Sequence, residues 1–138
     1  MDLAIRPKLV TFRAVRFFGD NPSPDGSQPW SLETKQTIEL AHGATHEGGA
    51  RQHSMVRIEL DSTAKKADGE GEPAVFKGTY EARFDFPEGV SLEQVTLLMA
   101  QEPFQYGLVS QAFPLAMTLF RRELQTLGFD ARELPLGI

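Results

Sequence analysis

Residues 76–99, FKGTYEARFDFPEGVSLEQVTLLM, change their period partway along. Up to Phe86, the side chains of Phe76, Tyr80, Ala82, Phe84 and Phe86 fall on one side together with Gly78, while Lys77, Thr79, Glu81, Arg83 and Asp85 fall on the other. Alternation at period two is the pattern of a strand with one buried and one wet face. After Pro87 and Gly89 the apolar positions become Leu92, Val95, Leu98 and Met99, which are spaced for a helix. Ser91 and Gln94 form a capping box that starts it. Pro103 is expected to stop this short helix, because proline has no amide hydrogen and disfavours helix in the residue before it.

On the N-terminal side of this switch every element reads as strand. Leu3 to Phe18 has Val10, Phe12, Val15, Phe17 and Phe18 among basic residues, and a bulge between Phe12 and Val15 accounts for the shift in alternation. DNPSPDGSQP at 20–29 collects turn formers and reads as a long crossing loop that Trp30 closes. Leu32, Thr34, Gln36, Ile38 and Leu40 then share a face, as do Val56, Ile58 and Leu60, with a break from Gly43 to Gly49 that makes a hairpin of the two. KKADGEGEP at 65–73 is the tip of a second hairpin. The C-terminal side reads as helix. Leu108, Ala112, Ala116, Leu119, Phe120, Leu124 and Leu127 form an apolar stripe that only Glu123 interrupts, and Arg121 and Arg122 sit near its C-terminal end. Proline is tolerated in a first turn, so Pro114 places the start of this helix near Ser110 or just before the proline. Gly128 and Phe129 read as a Schellman exit with Phe129 packed back on Leu124. Strands followed by helices give an α+β fold: one domain over residues 1–138, a four-stranded antiparallel sheet with a connector helix and a long helix on one face.

Composition narrows the function. With 41% hydrophobic and 24% charged residues the chain is ordinary folding stock, and without cysteine it has no disulfide, thiolate nucleophile or thiolate metal site. A reducing cytoplasm is the expected compartment. MDLAIRPKLV at the start lacks the basic and apolar regions of a signal peptide, and no stretch approaches the roughly 20 apolar residues that span a bilayer. The net charge of −5 and the absence of a dense Lys/Arg stretch argue against nucleic acid as a partner. His42, His46 and His53 offer metal-ligand chemistry only on a helix, and Gly43, Gly48 and Gly49 oppose a helix there, so they read as solvated loop residues. No G-x-S-x-G elbow is present, and GDNPSPDG and ADGEGEPA lack the strand-to-helix setting of a phosphate cradle. The expectation is a protein that is no enzyme, takes no cofactor and holds other polypeptides. Trp30 after a polar loop, and the unbroken Leu97, Leu98, Met99 run, supply apolar surface for that role.

The order of elements, QPWSLETKQTIEL around Trp30, YEARFDF followed by a helical connector, and SQAFPLAMTLFRRELQTLGF with its Phe113, Pro114, Ala116 pattern and Gly128–Phe129 exit resemble the SecB export chaperone family. The resemblance implies a cytoplasmic, ATP-independent chaperone of protein export: a dimer built on sheet edges and helices, paired into a homotetramer, with apolar grooves for unfolded polypeptide clients. It places the client site between crossover loop and connector, on Trp30, Phe86, Val90, Leu92, Leu98 and Met99, with Phe104 and Tyr106 beside them. It also implies the translocation motor SecA as a partner. Two departures weaken that link: the chain ends at LPLGI where export members continue into another helix and tail, and Lys35, Arg57, Lys77 and Arg83 mix with Glu39, Glu59, Glu81 and Asp85 on a sheet face that is acidic in the family. A dedicated chaperone of an antitoxin, and an adaptor for one folded partner, are the alternatives.

Overall fold

Four strands precede two helices: β1 (Lys8–Asp20), β2 (Trp30–Ala44), β3 (Gln52–Lys66), β4 (Ala74–Asp85), α1 (Leu92–Met99) and α2 (Glu102–Thr126). The structure, a computed structural model, describes residues 5–22, 30–44, 51–66 and 71–129. The strands form one antiparallel sheet in the order β1-β4-β3-β2. Both expected hairpins are present as the β2–β3 and β3–β4 pairings. Residues 23–29 of the expected crossing loop, and the tips at 45–50 and 67–70, lie outside the described residues. β1 and β2 nonetheless occupy opposite edges, as a crossing requires.

The alternation read from β3 and β4 decides which face is buried. Val56, Ile58, Leu60, Phe76, Tyr80, Ala82 and Phe84 are each at most 1% exposed. Complete burial of a large apolar side chain is worth about 1.5–3 kcal/mol, so this face supplies most of the drive to fold. The opposite face is charged and self-paired: Arg13 reaches Glu81 at 2.7 Å, Arg83 reaches Asp85 at 2.9 Å and Lys77 reaches Asp61 at 3.8 Å. Such surface pairs, partly exposed to water, are worth about 1 kcal/mol each and keep the face polar. Edge strand β2 is less covered, and Gln36 on its inner side is exposed while Leu32, Ile38 and Leu40 are half-buried.

β1 has two irregularities, not one. The register with β4 slips between Leu9 and Thr11 and again between Ala14 and Arg16, which leaves Val10 and Val15 as the extra residues. The second matches the bulge expected between Phe12 and Val15. The first was hidden because Val10 is apolar and yet 44% exposed. These slips keep Leu9, Phe12 and Phe17 packed against the core.

Both prolines of the helical region behave differently from the sequence expectation. Pro103 does not simply stop α1; it stands in the first turn of α2, where the amides have no intrahelical partner and proline's missing donor costs nothing. α2 therefore starts at Glu102, well before Ser110, and Pro114 lies inside it. An interior proline opposes helix by roughly 3 kcal/mol. Ala112, Phe113, Ala116 and Met117 on either side of it are all at most 1% exposed, and their burial holds the helix together through the proline. Glu123 is exposed and lies off the stripe, which Phe120 and Leu124 continue. The exit is the expected Schellman motif: Gly128 has φ 81°, Phe129 N donates to Leu124 O at 2.9 Å and Gly128 N donates to Gln125 O at 2.9 Å. Asn21 Nδ2 donates to Leu127 O at 2.9 Å and ties the end of β1 to this exit.

Tyr80 is the largest side chain that is fully buried, and its hydroxyl has no hydrogen-bond partner among the described residues. Burial, and secondarily the Glu123 carboxylate, push its phenol well above the usual tyrosine range. A raised acid keeps its proton in the folded chain after the unfolded chain has lost it, so stability is complete below about pH 10 and falls as pH rises beyond it. Tyr80→Phe is expected to leave neutral-pH stability unchanged or slightly higher, because it removes an unpaired buried hydroxyl. It should also flatten the alkaline loss, as measured by urea titrations at pH 7 and above pH 10.

Candidate polypeptide-binding groove

The connector is shaped by its caps. Ser91 Oγ accepts from Gln94 N at 3.2 Å and Gln94 Oε1 accepts from Ser91 N at 2.9 Å, closing the capping box that starts α1. Val95, Leu98 and Met99 face the sheet, and Ser54 on β3 donates its hydroxyl to Met99 Sδ at 3.3 Å. Leu92 and Leu97 face out, at 52% and 63% exposure. Between Met99 and Glu102 the chain turns on Ala100 and Gln101 alone, and Gln105 Nε2 locks the elbow by donating to Met99 O at 2.6 Å.

A groove of about 500 Å³ opens where this elbow meets the segment before β1. Ile5 and Pro7 stand in the segment; Leu98, Pro103, Phe104 and Leu108 come from the helices. Gly107 lines it as well, and a Cβ placed there would meet nothing within 4 Å, so the glycine contributes open space. The polar lining consists of Arg6, Gln101 and Gln111, with no carboxylate among the described lining residues. Phe104 is half-buried and stacks on Phe86 with ring centroids 6.1 Å apart and planes 21° apart. Phe86 is held in turn by its N–H to Gln52 O at 2.9 Å and by Arg51 Nε, which donates to Phe86 O at 3.2 Å.

Of the residues that the sequence nominated, the structure brings Leu98 and Phe104 together in this groove. Phe86 is completely buried and backs Phe104 instead of presenting surface; Val90 and Met99 are buried too, at 9% and 7% exposure. Leu92 and Tyr106 are more than half exposed but do not line the groove. Trp30 opens β2 opposite Lys66, and its side chain lies outside the described residues. Sequence reading missed Ile5, Pro7, Pro103, Gly107 and Leu108 as lining residues. With α2 begun at Glu102, Pro103, Gly107 and Gln111 recur at i, i+4, i+8, a notch along one side of a helix. Placing the helix start at Ser110 concealed it.

The two described histidines, His42 and His53, form no common site. His42 pairs with Ser54 and Gly43 with His53, so His42 and His53 point to opposite faces of the sheet. His42 Nε2 lies 3.3 Å from Thr96 Oγ1 on α1, and His46 is outside the described residues.

No protein-family model and no curated protein matches the sequence. A solved structure does match: the Mycobacterium tuberculosis Rv1957 SecB-like chaperone in complex with a ChAD peptide from the Rv1956 HigA1 antitoxin. The two superpose with a TM-score of 0.58 at 17% identity, over 96% of this chain and 88% of that one. An antiparallel four-stranded sheet backed on one face by a short and a long helix, joined by an elbow with an apolar groove, is thus a SecB-like fold.

Proposed function

We propose that this chain is an ATP-independent holdase that binds extended, non-native polypeptide segments and acts as a homo-oligomer, a dimer of dimers, in the cytoplasm. The observation that carries the reading is the apolar groove at the α1–α2 elbow, on a fold shared with a chaperone solved with a peptide. Leu92, Leu97, Tyr106 and Leu115 remain exposed around the helices, a surface that suits both clients and a second copy. No helix among the described residues is long and apolar enough to cross a membrane. Binding through several shallow apolar contacts needs no nucleotide, since burial itself supplies about 25 cal/mol per Å², and several grooves in one assembly raise the hold on a long client through effective concentration.

A dedicated antitoxin chaperone is the more specific form of this reading, and the structural neighbour's antitoxin peptide supports it. The outer sheet face, where Arg13, Lys77 and Arg83 pair with Glu81, Asp61 and Asp85, supports a receiving partner other than SecA. Light scattering during heat denaturation of an unrelated client tests the general claim. Suppression at near-stoichiometric protein, without nucleotide, is the expected result; an unchanged aggregation curve together with no affinity for a reduced, unfolded protein would end the holdase reading. Sedimentation of the free protein tests the assembly, and a monomer at micromolar concentration would remove the dimer of dimers.

A further inference from the structure

The alternation of β1 starts before the strand itself. Ile5, Pro7 and Leu9 are half-buried while Arg6 and Lys8 are exposed, so the period of an extended chain runs back through the segment that walls the groove. Residues 1–4 lie outside the described residues, and their sequence carries the same period further. Met1 and Leu3 share the parity of Ile5, whereas Asp2 and Ala4 share that of Arg6. Because β1 is antiparallel to β4, the chain traced back from Lys8, opposite Asp85, heads off the end of the sheet where Phe86 supports Phe104. That is the elbow side, and Ile5 is packed against the core there.

Length and volume fit the same occupant. From Pro103 to Gln111 α2 rises about 12 Å along the groove, and four extended residues span about 13 Å. A volume of about 500 Å³ is roughly three times that of a cavity which takes up benzene, about 150 Å³, and admits two large apolar side chains. We propose that Met1 and Leu3 of the chain's own N-terminal segment seat in the groove at the α1–α2 elbow, so that a client has to displace a tethered occupant. The seating follows from the segment's period, heading and length; the competition rests on the polypeptide-binding reading above. A tether this short holds the segment at about millimolar effective concentration. An occupied groove lowers a client's apparent affinity in proportion to the fraction that is free, so weak single contacts are turned away and a long client with several contacts displaces the segment.

The chain has no cysteine, so a pair of introduced thiols reports a single contact. Leu3→Cys with Gly107→Cys puts the second thiol in the groove, at a position with open space around it. Leu3→Cys with Leu115→Cys is the comparison, since Leu115 is exposed about two turns further along α2 and does not line the groove. Mild oxidation of the full chain, quenched by alkylation and read on a non-reducing gel, is expected to close the groove pair about tenfold faster than the comparison pair, within single chains. A fluorescent Phe-Ala-Leu peptide, titrated by anisotropy, reads the competition. Leu3→Asp should bind it about three- to tenfold tighter than the unaltered chain, and the oxidised groove pair about tenfold more weakly until it is reduced. Each reduced variant should keep the unfolding midpoint of the unaltered chain. Equal closing rates, or a disulfide formed only between two chains, overturn the seating, and unchanged peptide affinity in Leu3→Asp overturns the competition. If the groove pair closes while no form binds the peptide or a denatured client, the seating stands and the holdase reading falls. If the peptide and a denatured client bind but the pair does not close, the holdase reading stands and this proposal falls.

Discussion

Phe86→Ala is expected to lower the unfolding free energy by about 3–5 kcal/mol, the range for removing a buried aromatic side chain from a packed core. For a chain of this length the melting temperature falls with it by about 10 °C or more. Phe86 is fully buried just past the end of β4, clamped by Gln52 O and Arg51 Nε, and its ring supports Phe104. The cavity left by alanine therefore opens directly behind a groove wall. Denaturant titration reads the first effect as a shifted midpoint with an unchanged slope. Peptide affinity, measured below the transition, reads the second, and it should weaken although residue 86 presents no surface. Phe86→Leu preserves most of the volume and should retain most of both. If Phe86→Ala loses stability while groove affinity is untouched, Phe104 does not depend on its backing ring.

Gly78→Ala is the second large effect, and its sign is set by one neighbour. Exchanging glycine for alanine in a strand normally gains about 0.5–1 kcal/mol from reduced chain entropy. Here the new methyl would sit 2.5 Å from Tyr80 Oη, 2.7 Å from Cε2 and 2.9 Å from Cζ. Tyr80 cannot swing aside, because it is 1% exposed and stacked on Phe12 with planes 4° apart. β4 cannot yield either, since Gly78 is paired to Phe17 on one side and Leu60 on the other. Overpacking of this kind costs about 1–3 kcal/mol, so a net loss of about 2 kcal/mol is expected. In a Tyr80→Leu background the same substitution should cost much less, giving a coupling energy above about 1 kcal/mol in the double-mutant cycle. Additive losses would show that the collision lies elsewhere.

Much of the architecture was legible because burial imposes periodicity. Phe76 to Phe86 alternates except at Thr79, which is buried although it falls on the wet side, Val56, Ile58 and Leu60 agree with it, and the capping box at Ser91 and the glycine exit at Gly128 mark helix ends through local hydrogen bonding. The misreadings came where local chemistry and packing disagree. Val10 is apolar and exposed at a bulge; Pro114 is a helix breaker held within a helix by the buried residues around it. That second error displaced the start of α2 and concealed Pro103 and Gly107, so of the groove at the α1–α2 elbow only Leu98 and Phe104 were read from the connector.

What the residues determined by themselves is the succession of elements, the α+β class and the inner face of the sheet, because each depends on spacing within a short stretch. What only the tertiary structure decided is which apolar residues are surface. Phe86 and Phe104 have the same side chain, yet one is sealed beneath the other, and Ile5 and Pro7 reach a groove made mainly by residues about 100 positions further on. Exposure is a property of what packs over a side chain, and for these residues that is set by contacts distant in the chain.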